Sequence, residues 1–302
     1  MLSAWVGAVE GTATAPLVAA GLALMSAVAH ALFGALQKGR YDPWLMRGAI
    51  DISYGLMALP FALLVWPLPD AELAFILVGV FVIHAVYKAF MGMAYSRAAY
   101  TVVYPVVRGL APLITVVFAG MVFHEHFEPI QWAGVAVRSG AIFALAGVNL
   151  RSASVGRAAL QVGLVFAALT GVMTAIYTTY DAYGIRATPD PFQFLAWFFV
   201  VDGLLLFPWV ALARWRRLDP RPEPVQLLFR GWIGGCLGFV SFGAAMLATR
   251  LGTVGEAAVL RETSPVFAAL IGWAILKEPV GPLRAGLMAL IAAGAVLVQV
   301  GG

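Results

Sequence analysis

The chain has 302 residues, of which 62% are hydrophobic and only 11% are charged. A soluble domain carries about a quarter charged residues, so this composition excludes a water-exposed surface and most of the surface must face lipid. The formal net charge is +4, but nucleic acid is not an expected partner, because the basic residues lie where they would orient a membrane protein. The single cysteine, Cys236, excludes an intramolecular disulfide.

Ten apolar segments follow one another along the chain, each long enough to cross a bilayer, which takes roughly 20 residues per helix. Short turns containing Pro, Gly and Asp separate them, and no segment shows the two-residue alternation of a β-barrel strand. We therefore predict an all-α integral membrane protein with ten transmembrane helices. Within a few residues, the segments are 15–36, 44–66, 73–95, 98–123, 130–149, 158–180, 192–213, 229–249, 253–276 and 283–300.

The two halves of the chain carry the same residues at a constant spacing of 153 positions. Arg97, Arg108, Pro112, Glu125 and Pro129 recur as Arg250, Arg261, Pro265, Glu278 and Pro282. Each half, 1–150 and 151–302, holds five predicted spans, and an odd number places the second half upside down in the membrane. The prediction is therefore two inverted five-helix repeats, an arrangement typical of solute carriers. A channel bundle is the weaker alternative, because it usually needs several subunits around a pore.

The distribution of Lys and Arg predicts the orientation of the spans, because short basic loops stay in the cytoplasm. Thirteen of the 19 basic residues, including Arg47, lie at one set of connections and helix ends, whereas the other set has only Arg186 and Arg250. Both termini are therefore expected on the non-cytoplasmic side of a membrane such as the bacterial inner membrane. No basic residue precedes Lys38, so the first span is not a secretory signal and is expected to be retained.

Two arginines lie near the middle of predicted spans, where a charged side chain is costly. Arg108 and Arg261 are each followed four residues later by a proline, at Pro112 and Pro265. Proline lacks an N–H and crowds the carbonyl four residues earlier, so a local helix break is predicted beside each arginine. Each arginine either faces a substrate or satisfies the freed carbonyls and pairs with an acid such as Glu262.

Polar side chains recur at helical spacing on four predicted spans. A lipid-facing surface would not carry His, Lys and Tyr along one line, so we expect these faces to point inward, to a cavity or to each other. The aromatic members also fit plain packing, and Lys88 could instead extend to the cytoplasmic surface. The stripes are Ser26, His30, Phe33 and Gln37; Thr170, Thr174, Tyr177 and Asp181; His84, Tyr87, Lys88, Met91 and Tyr95; and Tyr100, Tyr104 and Arg108.

Asp51 and Asp202 occupy near-equivalent places in spans 2 and 7. A carboxyl group buried in hydrocarbon is protonated or paired, which suits either proton coupling or a structural hydrogen bond. Together with Glu256, these two residues are the candidates for a coupling site.

The sequence does not support metal binding, cofactor binding or catalysis. The run from His124 to His126 looks like a metal cluster, but Glu278, which matches Glu125, has no histidine neighbour, so no metal is expected. The sequence has no phosphate-binding loop and no nucleophile motif, so neither a cofactor nor an enzymatic activity is expected.

The segment that closes each half resembles the drug/metabolite transporter superfamily, and specifically its EamA-type members. The second copy fits that family more closely than the first, and the resemblance covers nearly the whole chain. It implies export or exchange of small organic solutes, frequently amino acids, through a central cavity lined by both halves. The segments read Arg108-Gly109-Leu110-Ala111-Pro112 and then Glu125, and Arg261-Glu262-Thr263-Ser264-Pro265 and then Glu278-Pro279.

The leading hypothesis is a secondary transporter of amino acids or related amphipathic solutes that works by alternating access. Arg108 and Arg261 would attract a carboxylate, while Glu256 and Glu262 would balance an ammonium group. Tyrosine rings would offer stacking surfaces for an apolar or cationic moiety. These rings belong to Tyr87, Tyr100, Tyr104 and Tyr177.

The alternative hypothesis is a flippase for a lipid-linked headgroup. It would need a lateral opening between spans, with Lys38, Arg40 and Arg217 at the cytoplasmic mouth. Expected partners in either case are a small-molecule substrate and the lipid bilayer, and the protein is expected to be a monomer or a homodimer.

Overall fold

The structure is a computed structural model that describes residues 2–37, 41–98, 100–151, 157–274 and 281–301. Side chains are described there except at 35–37, 100–101, 149, 151, 157 and 272–274. Outside the described residues lie Lys38, Arg40, Lys277, Glu278 and Pro279, and the side chains of Gln37 and Tyr100. The described ranges form thirteen α-helices and no strand. The helices are α1 Leu2–Val9, α2 Ala15–Gln37, α3 Pro43–Leu64, α4 Ala71–Tyr95, α5 Tyr100–Phe123, α6 Pro129–Arg151, α7 Arg157–Ala187, α8 Pro191–Leu204, α9 Phe207–Arg217, α10 Pro224–Leu251, α11 Val254–Arg261, α12 Ser264–Ala274 and α13 Pro282–Val300.

Aspartate side chains begin three of these helices. The carboxylates of Asp42, Asp70 and Asp190 accept a backbone N–H from the first turn of α3, α4 and α8, at 2.8–3.0 Å. These N-caps satisfy N–H groups that have no partner inside the helix. Pro43 and Pro191 occupy the first helical positions, where the missing N–H of proline costs nothing. The short polar turns of the sequence therefore set the helix starts.

Nine helical stretches of the described chain are long and apolar enough to cross a membrane, and the chain is an integral membrane protein. α8 and α9 count as one of them, with a bend at Leu205 and Leu206. Large apolar side chains point away from the bundle, and Leu17, Leu64 and Phe75 are 77%, 83% and 77% exposed. A contiguous apolar exterior of this kind is the surface that lipid covers.

The ninth predicted span, 253–276, is not one continuous helix. A turn at Glu262 and Thr263 separates α11 from α12, and neither helix is long enough to cross a membrane within the residues that the structure describes. Pro265 contributes to the interruption, because it has no N–H to bond the carbonyl of Arg261 one turn earlier. The result is irregular backbone at membrane depth, which occurs only where protein or a cavity surrounds it.

Other boundaries also differ from the sequence prediction. α5 continues through Pro105 and Pro112 without interruption. α7 extends to Ala187, beyond the predicted end at 180, and α10 begins at Pro224, before the predicted start at 229. The short helix α1 was not predicted.

The helices pack mainly against helices of the other half of the sequence. α2 packs on α10, α4 on α7, α3 on both α8 and α9, α5 on α7, and α6 on α13, while α11 and α12 pack on α2. An aromatic core fills the space between the halves. Its largest buried members are Tyr54, Tyr177, Phe194, Phe198 and Phe199.

The bundle has two ends, which we call the basic face and the opposite face. At the basic face α2 leads to α3, α4 to α5, and α9 to α10, and Arg214 pairs there with Asp42 at 2.6 Å. At the opposite face α3 leads to α4, α5 to α6, α7 to α8, and α10 to α11. There Asp190 accepts hydrogen bonds from Ser3 and Trp66, each at 2.9 Å.

Candidate functional site

A connected group of buried polar residues lies between α3, α4, α7 and α8, and we call it the lysine cluster. Its members are Arg47, Asp51, Tyr54, His84, Lys88, Asp181 and Asp202. Lys88 lies at its centre and is only 2% exposed, so its side chain does not extend to the surface. The Lys88 Nζ lies 2.7 Å from a carboxylate oxygen of Asp51 and 2.7 Å from one of Asp202, and it donates to the Asp202 carbonyl at 2.8 Å. These acceptors use all three ammonium protons.

Arg47 and Tyr54 hold the same two carboxylates from α3. Arg47 Nη2 lies 2.5 Å from Asp51 Oδ1, one helical turn away, and donates to the Tyr54 hydroxyl at 2.9 Å. The Tyr54 hydroxyl lies 2.8 Å from Asp51 Oδ1 and 2.5 Å from Asp202 Oδ2. Arg47 was expected at a cytoplasmic connection, but it is buried because Asp51 compensates its charge at the i+4 position. Fixed cations therefore hold both aspartates that the sequence offered for coupling.

His84 extends the lysine cluster from α4 to α7. Its Nδ1 lies 3.4 Å from Asp202 Oδ1, and its Nε2 lies 3.0 Å from Asp181 Oδ2. The imidazole ring packs against Tyr177 and Phe198, with centroids 4.8 and 5.1 Å away. A neutral imidazole has one N–H and can donate to only one of two flanking carboxylates, whereas a protonated one donates to both.

The three carboxylates of the lysine cluster face three buried cations. Arg47 and Lys88 supply two of the positive charges, and Arg261 supplies the third, because it lines a small cavity together with Asp181. A buried site favours such a balance, since unpaired charge is costly to desolvate. The His84–Asp181 contact therefore lies at the edge of the cluster that faces Arg261.

A second buried group surrounds Arg108, and we call it the arginine cluster. Its hydrogen-bonded members are His30, Tyr104, Arg108, Glu262 and Ser264, and the buried Arg138 and Arg261 lie within electrostatic range of them. The guanidinium of Arg108 donates to Glu262 Oε1 and to His30 Nε2, and it lies 5.2 Å from the centre of the Tyr104 ring. The hydroxyl of Tyr104 bonds to Ser264 Oγ at 2.9 Å. Side chains on both sides of the α11–α12 turn are thus tied to α5.

Arg261 is the repeat counterpart of Arg108, but its contacts are different. Its guanidinium lies 4.6 Å from the centre of the Phe242 ring. Its Nε and Nη2 are buried and have no hydrogen-bond partner within the described part of the chain. Arg261 therefore retains donors that can bind a further group.

Two small internal cavities share Phe242 as a wall, and each has about 20 Å³, room for about one water molecule. The first lies toward the basic face and contains Arg108, with His30, Arg47, Tyr87, Tyr95, Tyr104 and Thr174 among its lining residues. The second lies toward the opposite face and contains Arg261, with Tyr177, Asp181, Met246, Thr249 and Ala257 among its lining residues. Each arginine of the repeated pair thus lines its own cavity.

Glu125 closes the opposite face. Its carboxylate accepts the backbone N–H groups of Val254 at 2.7 Å and Gly255 at 3.0 Å, and it lies 3.5 Å from Arg186 Nη2. His124, just before it, has a φ of 56°, a left-handed conformation in which histidine is enriched. Glu125 is therefore a cap on the start of α11 that joins the two halves of the sequence.

Two further contacts join the halves at the opposite face. Arg250 Nη2 lies 3.1 Å from Glu10 Oε2. Burial alone would raise the pKa of Asp190, but hydrogen bonds from Trp66, from the N–H of Phe192 and from Ser3 outweigh it and hold the pKa below the ordinary value of 3.8. The Asp190 carboxylate is thus charged at neutral pH and ties α8 to the first half.

The structure brings most of the predicted site residues together. The lysine cluster contains Asp51, His84, Lys88 and Asp202, and the arginine cluster contains His30, Tyr104, Arg108, Arg261 and Glu262. Tyr87 and Tyr177 pack on each other with centroids 4.8 Å apart, beside the His84 ring. Glu256 lies apart from both clusters and accepts a hydrogen bond from Gln131 at 3.0 Å. Their roles in binding and coupling remain predictions.

Sequence reasoning missed Arg47, Tyr54 and Arg138 as site residues, and it noted Asp181 only as part of a polar stripe. The spacing of Arg47, Asp51 and Tyr54 places all three on one face of α3, so that face could have been recognised as a fifth polar stripe. Arg138, which is fully buried on α6, lies inside the predicted span 130–149, where a charged side chain is costly, and that position was the signal that the sequence offered.

Comparisons with known proteins agree with this architecture. A solved structure, described only as the crystal structure of a protein, superposes with a TM-score of 0.73 at 18% identity, covering 96% of this chain and 98% of that chain. Similarity at this level of identity shows a shared fold alone. No curated protein matches the sequence significantly. The model of the EamA-like transporter family matches residues 161–300. The second half of the chain therefore matches the EamA-like transporter family, a family of the drug/metabolite transporter superfamily.

Proposed function

We propose that the protein is a secondary transporter, an exporter or exchanger, that moves small organic solutes by alternating access. The main support is the pair of cavities on either side of Phe242, each lined by one arginine of the repeated pair. A solute with a carboxylate would bind Arg108 when the cavity near the basic face is open and Arg261 when the other is open. Amino acids and related amphipathic solutes fit this description.

The helix packing supports an inverted repeat as the basis of this mechanism. Exchanging the two halves of the sequence converts the α2–α10 contact into the α4–α7 contact. The same exchange converts the α5–α7 contact into the packing of α11 and α12 on α2. The contact of α3 with α8 and α9, and that of α6 with α13, map onto themselves. Related packing on both sides allows one conformation to be roughly the other with the halves exchanged.

Proton coupling belongs to the same proposal. The sequence offered Asp51, Asp202 and Glu256 as coupling residues. Because Lys88 holds both Asp51 and Asp202, the proposal makes Asp181, which is hydrogen-bonded to His84, the carrier of the exchangeable proton. Asp181 also lines the cavity of Arg261. A solute anion arriving in that cavity would change the electrostatic potential at the proton site, which couples the two bound species.

The proposal also includes the membrane location, the orientation and the oligomeric state of the protein. The protein would lie in the bacterial inner membrane with both termini on the non-cytoplasmic side, and 1–150 and 151–302 would be its two repeats. It would act as a monomer or a homodimer.

Transport by variants in proteoliposomes tests the proposal. Counterflow of a radiolabelled amino-acid panel is measured for the wild type, Arg108→Gln and Arg261→Gln, with Arg97→Gln as the matched control because Arg97 is exposed on the basic face. Loss of one charge-assisted hydrogen bond is worth about 1.5–3 kcal/mol, so uptake should fall about tenfold or more in the first two variants. Uptake that equals the Arg97→Gln control in both variants would overturn the assignment of the site.

The flippase alternative depends on a different part of the molecule. An apolar groove of about 450 Å³ opens between α3, α9 and α10, with Trp209, Trp215 and Leu228 in its lining. Such a groove suits an acyl chain, but the buried charges lie outside it. Transport of fluorescent lipids, with no counterflow of any water-soluble solute, would favour this alternative over the solute transporter.

A further inference from the structure

We infer that the apolar groove between α3, α9 and α10 binds one anionic phospholipid from the membrane leaflet at the basic face. An acyl chain lies in the groove, and the phosphate group contacts arginines at the mouth of the groove. The lipid is a bound partner of the protein and not its cargo. This site is therefore separate from the solute cavities and differs from the path that a flippase would need.

The groove exists because α9 and α10 both pack on α3 but diverge from each other. Small residues bring each of them close to α3, since a Cβ at Gly48 would collide with Ala211, and one at Gly231 would collide with Ala49. Between α9 and α10, which the structure describes along their whole length, there is little direct contact. The space that remains between them is the groove of about 450 Å³.

The groove is as long as one leaflet of a bilayer is thick. Its lining on α3 runs from Leu45, close to the basic face, to Leu56. This length of helix rises about 16 Å, which is about half of a hydrocarbon core that is about 30 Å thick. Leu204 lines the deep end, whereas Trp215 and Pro224 line the end at the basic face. The groove therefore has the length for an acyl chain of that leaflet.

Arginine side chains lie at the end of the groove that reaches the basic face. Trp215 lines the groove, and the guanidinium of Arg221 lies 5.3 Å from the centre of its indole ring. Trp215 Nε1 donates to the Pro222 carbonyl at 2.9 Å, and Arg221 Nη2 donates to the Arg216 carbonyl at 3.2 Å. These bonds fold the connection back on the end of α9 and hold Arg221 beside the mouth of the groove. Arg216 and Arg217 are exposed in the last turn of α9.

The charge around this mouth favours an anionic headgroup. Arginines outnumber acidic residues there, even though Asp42 pairs with Arg214 at 2.6 Å. Guanidinium groups bind phosphate oxygens through parallel N–H donors, and basic clusters at the membrane surface attract anionic lipids. A zwitterionic lipid has the same phosphate but adds a cation, which a positive site disfavours. The arginines are Arg214, Arg216, Arg217, Arg221 and Arg230, and the acids are Asp42, Asp219 and Glu223.

Lipid binding to the purified wild type tests the headgroup. The delipidated protein in detergent is titrated with phosphatidylglycerol and with phosphatidylcholine of the same acyl chains, and native mass spectrometry counts the bound lipids. We expect one phosphatidylglycerol to bind about fivefold or more tightly than phosphatidylcholine. Equal affinity for the two lipids, or a series of adducts without a preferred first one, would show ordinary annular lipid and overturn the inference.

Arg221→Gln tests the contact with the phosphate. One arginine near an anionic headgroup changes the affinity about fivefold, so this variant should weaken phosphatidylglycerol binding by that factor and leave phosphatidylcholine binding unchanged. Arg97→Gln is the matched control, because Arg97 is also exposed at the basic face but lies outside the groove. Equal phosphatidylglycerol affinity in the two variants would overturn the assignment of the headgroup site.

Leu212→Trp tests the place of the acyl chain. Leu212 lines the groove and is 38% exposed, so a larger side chain has room to enter the groove and exclude the chain. Retention of the first phosphatidylglycerol should be lost. Leu17→Trp, at a site that is 77% exposed on α2, should bind as the wild type does. Equal retention in these two variants overturns the inference. Should Leu212→Trp not fold, Leu228→Trp fills the groove from α10, where Leu228 is 50% exposed.

Two further measurements separate a bound lipid from other occupants. In proteoliposomes, wild-type protein should not speed the transfer of fluorescent phosphatidylglycerol between leaflets. Transfer that Leu212→Trp abolishes would make the groove a flippase path and overturn the role as a bound partner. A protein dimer that Leu212→Trp dissociates, observed by native mass spectrometry in place of a lipid adduct, would show a second copy in the groove and also overturn the inference. Solute counterflow is independent of these outcomes, so the transporter proposal can fail separately.

Discussion

At the scale of single residues, the arrangement around Lys88 makes this side chain essential for stability. Lys88 neutralises Asp51 and Asp202, which both lie in the membrane-spanning part of the bundle. Removing one partner of a buried ion pair leaves uncompensated charge and typically costs about 3–5 kcal/mol. Lys88→Met should therefore lower the unfolding midpoint strongly, as measured by denaturant titration in detergent.

An exposed ion pair provides the control for this prediction. Arg214 pairs with Asp42 at 2.6 Å at the basic face, and its side chain is 46% exposed. Exposed pairs contribute about 0–1 kcal/mol, so Arg214→Met should change the midpoint little. Equal effects of Lys88→Met and Arg214→Met would mean that the lysine cluster does not depend on its central cation.

The residue scale also shows what a sequence can indicate about a membrane site. The polar stripes predicted that His84 and Lys88 face the interior, because polar groups are too costly in lipid to be placed at random. Asp51 and Asp202 were predicted separately, as buried carboxyl groups that are protonated or paired. The partners of each residue were not predictable, since Lys88 lies 37 positions from Asp51 and 114 from Asp202 in the sequence. Pairing between such distant positions depends on how the helices pack.

At the scale of helices, Glu125 forms a cap that holds the start of α11. The two N–H groups that it accepts belong to Val254 and Gly255, and an N-cap of this kind is worth about 0.5–2 kcal/mol. Glu125→Ala should therefore open the first turn of α11 and speed amide hydrogen exchange there, by about tenfold if the loss is 1.4 kcal/mol. Mass spectrometry of the peptide that contains both residues measures this exchange.

Glu128→Ala is the matched control, because Glu128 is an exposed glutamate in the same connection. It should leave exchange at Val254 and Gly255 unchanged. Exchange that is as slow in Glu125→Ala as in Glu128→Ala would mean that other contacts hold α11, such as the bonds from Arg186 to the carbonyls of Thr249 and Gly252.

At the scale of helices, the sequence predicted where most helices lie, but it did not predict which of them is interrupted. Apolar length located the helices to within a few residues for most spans, because hydrocarbon thickness imposes that length. A helix break was predicted at both repeated prolines. Only the span that contains Pro265 is interrupted, whereas α5 continues through Pro112. The difference lies in tertiary contacts, since Glu262 and Ser264 at the interruption are bonded to side chains of α5.

At the scale of the whole molecule, the two ends of the bundle differ in charge and in the contacts that join the two halves of the sequence there. The basic face has Arg97, Arg214 and Arg217, and the opposite face has Glu10, Asp70 and Glu125. The opposite face is also closed by contacts between the halves, through Glu125 and Arg250 among others. A transporter must break such contacts to open on that side, so they would set the energy difference between its conformations.

The charge asymmetry predicts the orientation of the protein in the membrane. With Arg47 removed because it is buried, twelve basic residues remain on the side of the basic face against two on the other. Short loops rich in Lys and Arg stay in the cytoplasm, so the basic face should be cytoplasmic. In a Cys236→Ser background, which has no cysteine, a membrane-impermeant maleimide should label Glu128→Cys in intact cells. Arg217→Cys should be labelled only after the cells are permeabilised. The reverse pattern would show that the buried charges, rather than the loop charges, determine how this bundle inserts.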